Sequence, residues 1–179
     1  MRELALAGFL ALGACGKAPE PRLPAAAVGQ EAPELKLPDL TGKEILLSSF
    51  RGKVVLLDFW ATWCDPCREE LPDLISLHQG FQGLGFSVVG VAMDADGRPV
   101  VAPFVKKHQI PYPALLSEGL SVPGYRIFGI PLALLLDRDG VVLKEYLGPK
   151  ALAEVKRDVK AALALPQKEP SSRAARSGS

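Results

Sequence analysis

Apolar and polar positions alternate weakly over residues 34–40. Asp39-Leu40-Thr41-Gly42-Lys43 then supplies turn chemistry before Glu44-Ile45-Leu46-Leu47, and the pattern predicts a short N-terminal hairpin. Residues 53–60, Lys-Val-Val-Leu-Leu-Asp-Phe-Trp, form a near-continuous apolar run, as expected of a strand covered on both faces of its sheet. Beyond it Leu71, Leu74, Ile75 and His78 recur at helical spacing with Glu69, Glu70 and Asp73 between them, and Pro72 is expected to kink that helix. Residues 86–93 read as a second buried strand and 99–109 as a helix despite Pro103. Residues 112–116 read as a short extended piece and 125–128 as a helical turn. Two strands, 132–136 and 141–146, are joined by Asp137-Arg138-Asp139-Gly140, a strong hairpin signal. Leu152, Val155, Val159 and Leu163 mark a closing amphipathic helix. This order predicts an α/β fold with a mixed central sheet and helices on both faces.

Length and composition narrow the picture. The 179 residues fit one domain with tails, and 48% apolar against 23% charged residues suits a packed core. A formal net charge of +1 offers no field for nucleic acid. No apolar run reaches the roughly 20 residues of a membrane-spanning helix. Residues 4–12 have instead the length of a signal-peptide h-region, and Leu12-Gly13-Ala14-Cys15 resembles a bacterial lipobox, which implies a lipid on Cys15. The expected organisation is a signal peptide over 1–14, a tether over 15–30, one domain over 31–165 and a disordered tail over 166–179.

The chemistry lies in Trp63-Cys64-Asp65-Pro66-Cys67, where a buried strand gives way to a helix. One helical turn brings the two sulfurs within bonding reach, and the helix N-terminus offers free N–H groups and the positive end of its dipole. Both stabilise a thiolate at Cys64, which then attacks disulfides as an exposed nucleophile, while Cys67, one turn deeper, resolves the mixed disulfide. Pro66 suits the first turn, where a missing N–H costs little. A zinc half-site lacks a second ligand pair, and an inert staple across two residues gains little stability. His78 reads as packing, and Asp94-Ala95-Asp96-Gly97 lacks calcium-loop spacing and reads as a turn. No metal and no cofactor are expected.

Two carboxylates bear on the pair. Asp58 interrupts an apolar strand, and burial there raises the pKa of its carboxyl. Asp65 sits beside Cys64 and disfavours its thiolate, which makes the couple more reducing. Trp63 reads as a flat apolar surface beside the thiol and Trp60 as core.

The segment Asp58-Phe59-Trp60-Ala61-Thr62-Trp63-Cys64-Asp65-Pro66-Cys67 resembles the thioredoxin active site. The frame from Val28-Gly29 and Ala32-Pro33 through Ser48-Ser49-Phe50-Arg51-Gly52-Lys53 resembles the exported TlpA/ResA-like thioredoxins, and the likeness runs over about residues 28–164. It implies a thioredoxin-like fold extended by the N-terminal hairpin, with reversible dithiol–disulfide exchange on exported proteins, for example in cytochrome c maturation. The implied partners are protein thiols and disulfides, and a membrane thiol-transfer protein as electron donor. It implies that Pro131 of Gly129-Ile130-Pro131 is cis and lies against the cysteines, with Ile130 offering backbone hydrogen bonds to substrate. It also implies that Asp58 matches thioredoxin's buried acid, which assists proton transfer at the second cysteine. Leu132 departs from the family's usual Thr, and Asp58 from the Asn commoner in the TlpA/ResA branch.

Two other functions fit parts of the pattern. A peroxiredoxin-like peroxidase shares the fold and N-terminal frame but expects a lone peroxidatic cysteine in a Thr- and Pro-rich loop. A copper(I)-binding assembly protein uses soft thiolates, usually with three residues between them and a distal histidine, for which only His108 could serve.

Overall fold

The computed structural model describes residues 26–117 and 119–166. Residues 1–14, Cys15 and the tail from 167 lie outside that range. The last part of the stretch read as a tether is joined to the domain: the Ala26 N–H donates to Gly124 O and the Gly29 N–H to Val142 O.

Five strands build the main sheet in the order β5-β4-β3-β6-β7. β3 (Val54–Trp60) is its centre, parallel to β4 (Phe86–Ala92) and antiparallel to β6 (Leu132–Leu136). Every residue of β3, β4 and β6 is buried, which accounts for their unbroken apolar runs. β5 (Ala114–Leu116) and β7 (Val142–Leu147) form the edges. Asp137 stabilises the β6–β7 turn, its Oδ1 accepting from the Asp139 and Val141 N–H groups, and Gly140 takes the left-handed conformation that closes it (φ 77°). The N-terminal hairpin pairs β1 (Lys36–Pro38) with β2 (Glu44–Leu46), and Asp39 bridges to Leu115 of β5, covering that edge.

Three helices flank the sheet. α1 (Asp65–Phe81) runs through Pro72 without interruption and buries Cys67, Glu70, Leu71, Leu74, Leu77, His78 and Phe81. α2 (Arg98–Lys107) follows β4, and Phe104 from it packs against Trp60 at 5.3 Å between ring centres. α3 (Leu152–Ala164) buries Val155, Val159 and Ala162 and packs against α1 and β3. His78 is packing, as its position on the stripe suggests: its Nδ1 accepts the Val88 N–H.

The helical turn expected over 125–128 is not formed. Pro123-Gly124 instead makes a tight reversal, with Gly124 at φ 84° and the Tyr125 N–H donating to Val122 O at 3.0 Å. Burial of Tyr125 settles the matter: its ring lies 5.3 Å from Phe59 and its hydroxyl donates to Pro33 O. Residues 126–130 then pass irregularly over the surface towards β6.

Candidate active site

The site forms where β3 ends. Trp60 O accepts the Met93 N–H, and the chain then turns through 61–63 into α1. Asp94, at the end of β4, holds this loop: its carboxylate accepts the Thr62 N–H, at 3.2 and 3.1 Å to its two oxygens, and the Thr62 hydroxyl. Asp94 is 2% exposed, so the turn read at 94–97 carries a buried anchor for Thr62, two residues before Cys64.

Cys64 is the N-cap of α1. Its Sγ accepts the Cys67 N–H at 3.3 Å, and Pro66 occupies the first turn. The two cysteines are disulfide-bonded, with Cα atoms 5.3 Å apart. The free N–H groups and dipole end expected at Cys64 are therefore in place to receive a thiolate on reduction. In this oxidised state Cys64, bonded to Cys67, is 5% exposed; the exposure expected of the attacking thiolate concerns the reduced form.

Around the pair, Trp63 is 58% exposed and Trp60 is buried. The Ile130–Pro131 peptide is cis, and pairing of Leu132 with Phe59 sets Pro131 beside the same end of β3 that leads to Cys64. The sequence features read as substrate contacts thus converge on one end of the sheet. This is the carboxyl end of the parallel strands β3 and β4, the end at which α/β sheets place their sites. Asp65 is exposed and ion-paired with Arg68 at 3.0 Å, a partner one turn along that tempers its field on Cys64.

One turn along the buried face of α1 from Cys67, Glu70 belongs to a buried cluster of three ionisable groups. Lys150, from the loop before α3, reaches inward so that its ammonium meets Asp58 Oδ1 at 3.3 Å and Glu70 Oε2 at 2.5 Å, while its N–H donates to Glu70 Oε1. The side chains of Lys150, Asp58 and Glu70 are 4%, 3% and 8% exposed. Burial pushes the Asp58 carboxyl above its ordinary value. Lys150 opposes that shift, and the Glu70 charge adds to it. Burial alone would lower the Lys150 ammonium, but the Asp58 charge and the Glu70 hydrogen bond outweigh it and leave it raised. Asp58 was legible as the one acid in an apolar strand. Glu70 was not, having been read with the polar positions of α1. Extending the apolar stripe to Cys67, Leu77 and Phe81 places it inside. Lys150 carried no periodic signal at all.

Among the described residues no group of three or more His, Cys, Asp or Glu side chains could hold a metal ion. His108 caps the end of α2 against the Phe104 ring, 4.3 Å between ring centres.

Comparison with known proteins agrees with this geometry. The profile of the AhpC/TSA family matches residues 28–159. The chain belongs to this family. Within it, the chain is 34% identical over 135 residues to the thiol-disulfide oxidoreductase ResA of Bacillus thuringiensis subsp. konkukian (strain 97-27), covering 74% of this chain and 77% of that protein. It is 33% identical over 121 residues to ResA of Bacillus subtilis (strain 168), covering 67% of each. A crystal structure from Chlorobium tepidum, titled as a DsbE thiol:disulfide interchange protein, superposes with a TM-score of 0.71 at 31% identity, covering 78% of this chain and 99% of that one. The fold is thioredoxin-like, and the family member is a thiol–disulfide oxidoreductase with Cys64 and Cys67 as its pair. Among the described residues no helix is long and apolar enough to cross a membrane.

Proposed function

We propose that this oxidoreductase works outside the cytoplasm, in the periplasm or at the outer face of the cell membrane, as a reductant of disulfides in exported proteins. The observation that carries the direction is the placing of acidic groups on both sides of the cysteine pair. Asp65 stands beside Cys64, and Glu70 shares the buried face of α1 with Cys67 and is joined to Asp58 through a single cation, Lys150. Negative charge disfavours the Cys64 thiolate, and a less stabilised reduced form surrenders its electrons more readily. Cys64 attacks a substrate disulfide and releases one substrate thiol, leaving a Cys64–substrate mixed disulfide. Cys67, giving up its proton to Asp58, attacks Cys64 Sγ, and the second substrate sulfur leaves with the electron pair. Trp63, Ile130 and Pro131 bind the substrate chain at this end of the sheet, while Asp65 and Pro66 tune the couple.

Cytochrome c maturation is the process this reading favours, with a membrane thiol-transfer protein returning electrons to the Cys64–Cys67 disulfide. A lipid on Cys15 holds the enzyme at the membrane, following the lipobox-like Leu12-Gly13-Ala14-Cys15. Equilibration with glutathione and dithiothreitol buffers tests the direction: a potential in the range of strong oxidants such as DsbA, about −120 mV, would refute it. Cys67→Ser should trap exported proteins on Cys64 as mixed disulfides. Fatty-acid labelling should disappear in Cys15→Ala, and an unlabelled wild-type chain would end the lipid reading.

A further inference from the structure

A trench leads away from the redox pair between α1 and the end of α2, built from two adjoining hollows. The nearer, about 380 Å³, is lined by Asp65, Arg68, Glu69 and His108. The farther, about 570 Å³, runs on past Arg68 and His108 to Ser76, Gln79 and Gln109. Arg68 and His108 line both, so the two are continuous, and the near end begins at Asp65, the residue after Cys64. We propose that this trench receives an extended segment of the substrate polypeptide next to its disulfide, held through its backbone and its apolar side chains. The inference rests on the reading that the partner is a protein disulfide, and it names the part of that protein gripped away from the sulfur.

The lining matches a peptide. Buried Leu71 and half-buried Ile75 give an apolar floor, while Ser76, Gln79 and Gln109 are exposed along it. Hydroxyl and amide side chains both donate and accept without carrying charge, which suits the alternating N–H and C=O groups of a chain rather than an ionised ligand. At the mouth Asp65 and Arg68 neutralise each other in an ion pair at 3.0 Å. Pro72 adds a backbone acceptor. It lies inside α1 and has no N–H, so the Arg68 carbonyl lacks the helical donor four residues along, and both residues line the trench. An N–H of an incoming strand fills that place.

The opposite wall is held in shape. The His108 ring stacks on Phe104, 4.3 Å between centres. Gln109 is the one non-glycine residue with positive φ among the described residues, at 51°, and turns the chain sharply out of α2. Length fits as well. Asp65 to Gln79 covers about 21 Å of α1 at about 1.5 Å per residue. That is room for about six residues of extended chain at about 3.3 Å each. Continuity with Cys64 decides the occupant, because whatever enters at Asp65 is attached to the sulfur under attack.

The test uses the reduced full chain and peptides of alanine, serine and leucine with one cysteine, carried as its mixed disulfide with thionitrobenzoate. The cysteine is extended by two, four, six or eight residues on its N-terminal or its C-terminal side. Cys64 attacks the peptide sulfur and the Cys64–peptide bond forms. The bond to thionitrobenzoate breaks, and thionitrobenzoate leaves with the electron pair, its colour reporting the rate constant. On one of the two sides that constant is expected to rise about tenfold from two to six residues, equivalent to about 1.4 kcal/mol, and to level off by eight. Ser76→Trp fills the trench, so the ratio of eight-residue to two-residue rates is expected to fall to about one. Lys160→Trp, exposed on α3, is expected to keep the wild-type ratio. Each ratio is internal to one variant, so a general loss of activity cancels. If Ser76→Trp does not fold, Gln79→Trp at the far end takes its place. Rates independent of length on both sides overturn the proposal, as does a length dependence that survives in the trench variant or is lost equally in Lys160→Trp. A wild-type dimer in sedimentation that Ser76→Trp dissociates would assign the trench to a second copy and overturn it too. A reduced chain that releases no thionitrobenzoate even from two-residue peptides refutes the reading as a disulfide reductant, whereas release without length dependence refutes only the trench.

Discussion

Asp94→Ala isolates the anchor of the active-site loop. The Asp94 carboxylate accepts two donors from Thr62, the N–H shared between its oxygens and the hydroxyl. Hydrogen bonds to a charged partner contribute roughly 1.5–3 kcal/mol each, so the gross loss is about 3–6 kcal/mol. Alanine also removes the cost of keeping a carboxylate that is 2% exposed, and the half-buried Thr62 hydroxyl regains water. The net destabilisation is therefore about 2–4 kcal/mol, or roughly 6–12 °C in Tm for a domain of this size. Asp94→Asn keeps an oxygen for the N–H and loses only charge, and should cost about 1 kcal/mol. Urea unfolding of the oxidised protein, followed by tryptophan fluorescence, measures both. The slope should stay constant while the midpoint falls. A cycle with Thr62→Val should show a coupling above about 1 kcal/mol, since the residues are in contact. Asp94→Ala within about 0.5 kcal/mol of wild type, or Asn costing as much as Ala, would refute the anchor.

Other consequences follow from the same packing. A Cβ on Gly90 would sit 2.8 Å from Trp60 Nε1, a buried N–H with no hydrogen-bond partner among the described residues, and 3.4 Å from the Tyr112 ring. Gly90→Ala should therefore destabilise by about 1–2 kcal/mol in urea melts, overpacking exceeding the gain in chain entropy; a neutral outcome would contradict the close approach. The folded Asp58 carboxyl is raised above its unfolded value, so the folded state binds more protons and loses stability as pH rises through the folded pKa. The stability of Asp58→Asn relative to wild type should accordingly increase from acid to neutral pH; a difference independent of pH would sink that account. Trp63→Ala removes an exposed ring, so stability should stay within about 0.5 kcal/mol while kcat/KM for a protein disulfide falls roughly tenfold. An unchanged kcat/KM would remove Trp63 from the substrate surface.

The amino-acid sequence by itself determined the order of elements and the identity of the redox couple. Both are local properties: an apolar run such as 53–60 marks a central strand, and Trp-Cys-x-x-Cys at its exit puts a sulfur at a helix N-terminus whatever the distant chain does. Asp58 was visible for the same reason, as an acid out of place in its own strand. The turn at 125–128 was misread because burial of Tyr125 against Phe59 and Pro33 governs that segment, and neither partner is near it in sequence.

Only the tertiary structure decided the charge environment of the cysteines. Glu70 becomes buried because α1 rotates that position towards the sheet and α3, and Lys150 meets Asp58 across 92 residues of chain. Asp94 likewise reaches Thr62 across 32 residues. Periodicity records which face of one element is apolar. Electrostatic partners are chosen by the packing of different elements, and a single loop residue such as Lys150 has no pattern in which that choice could be written.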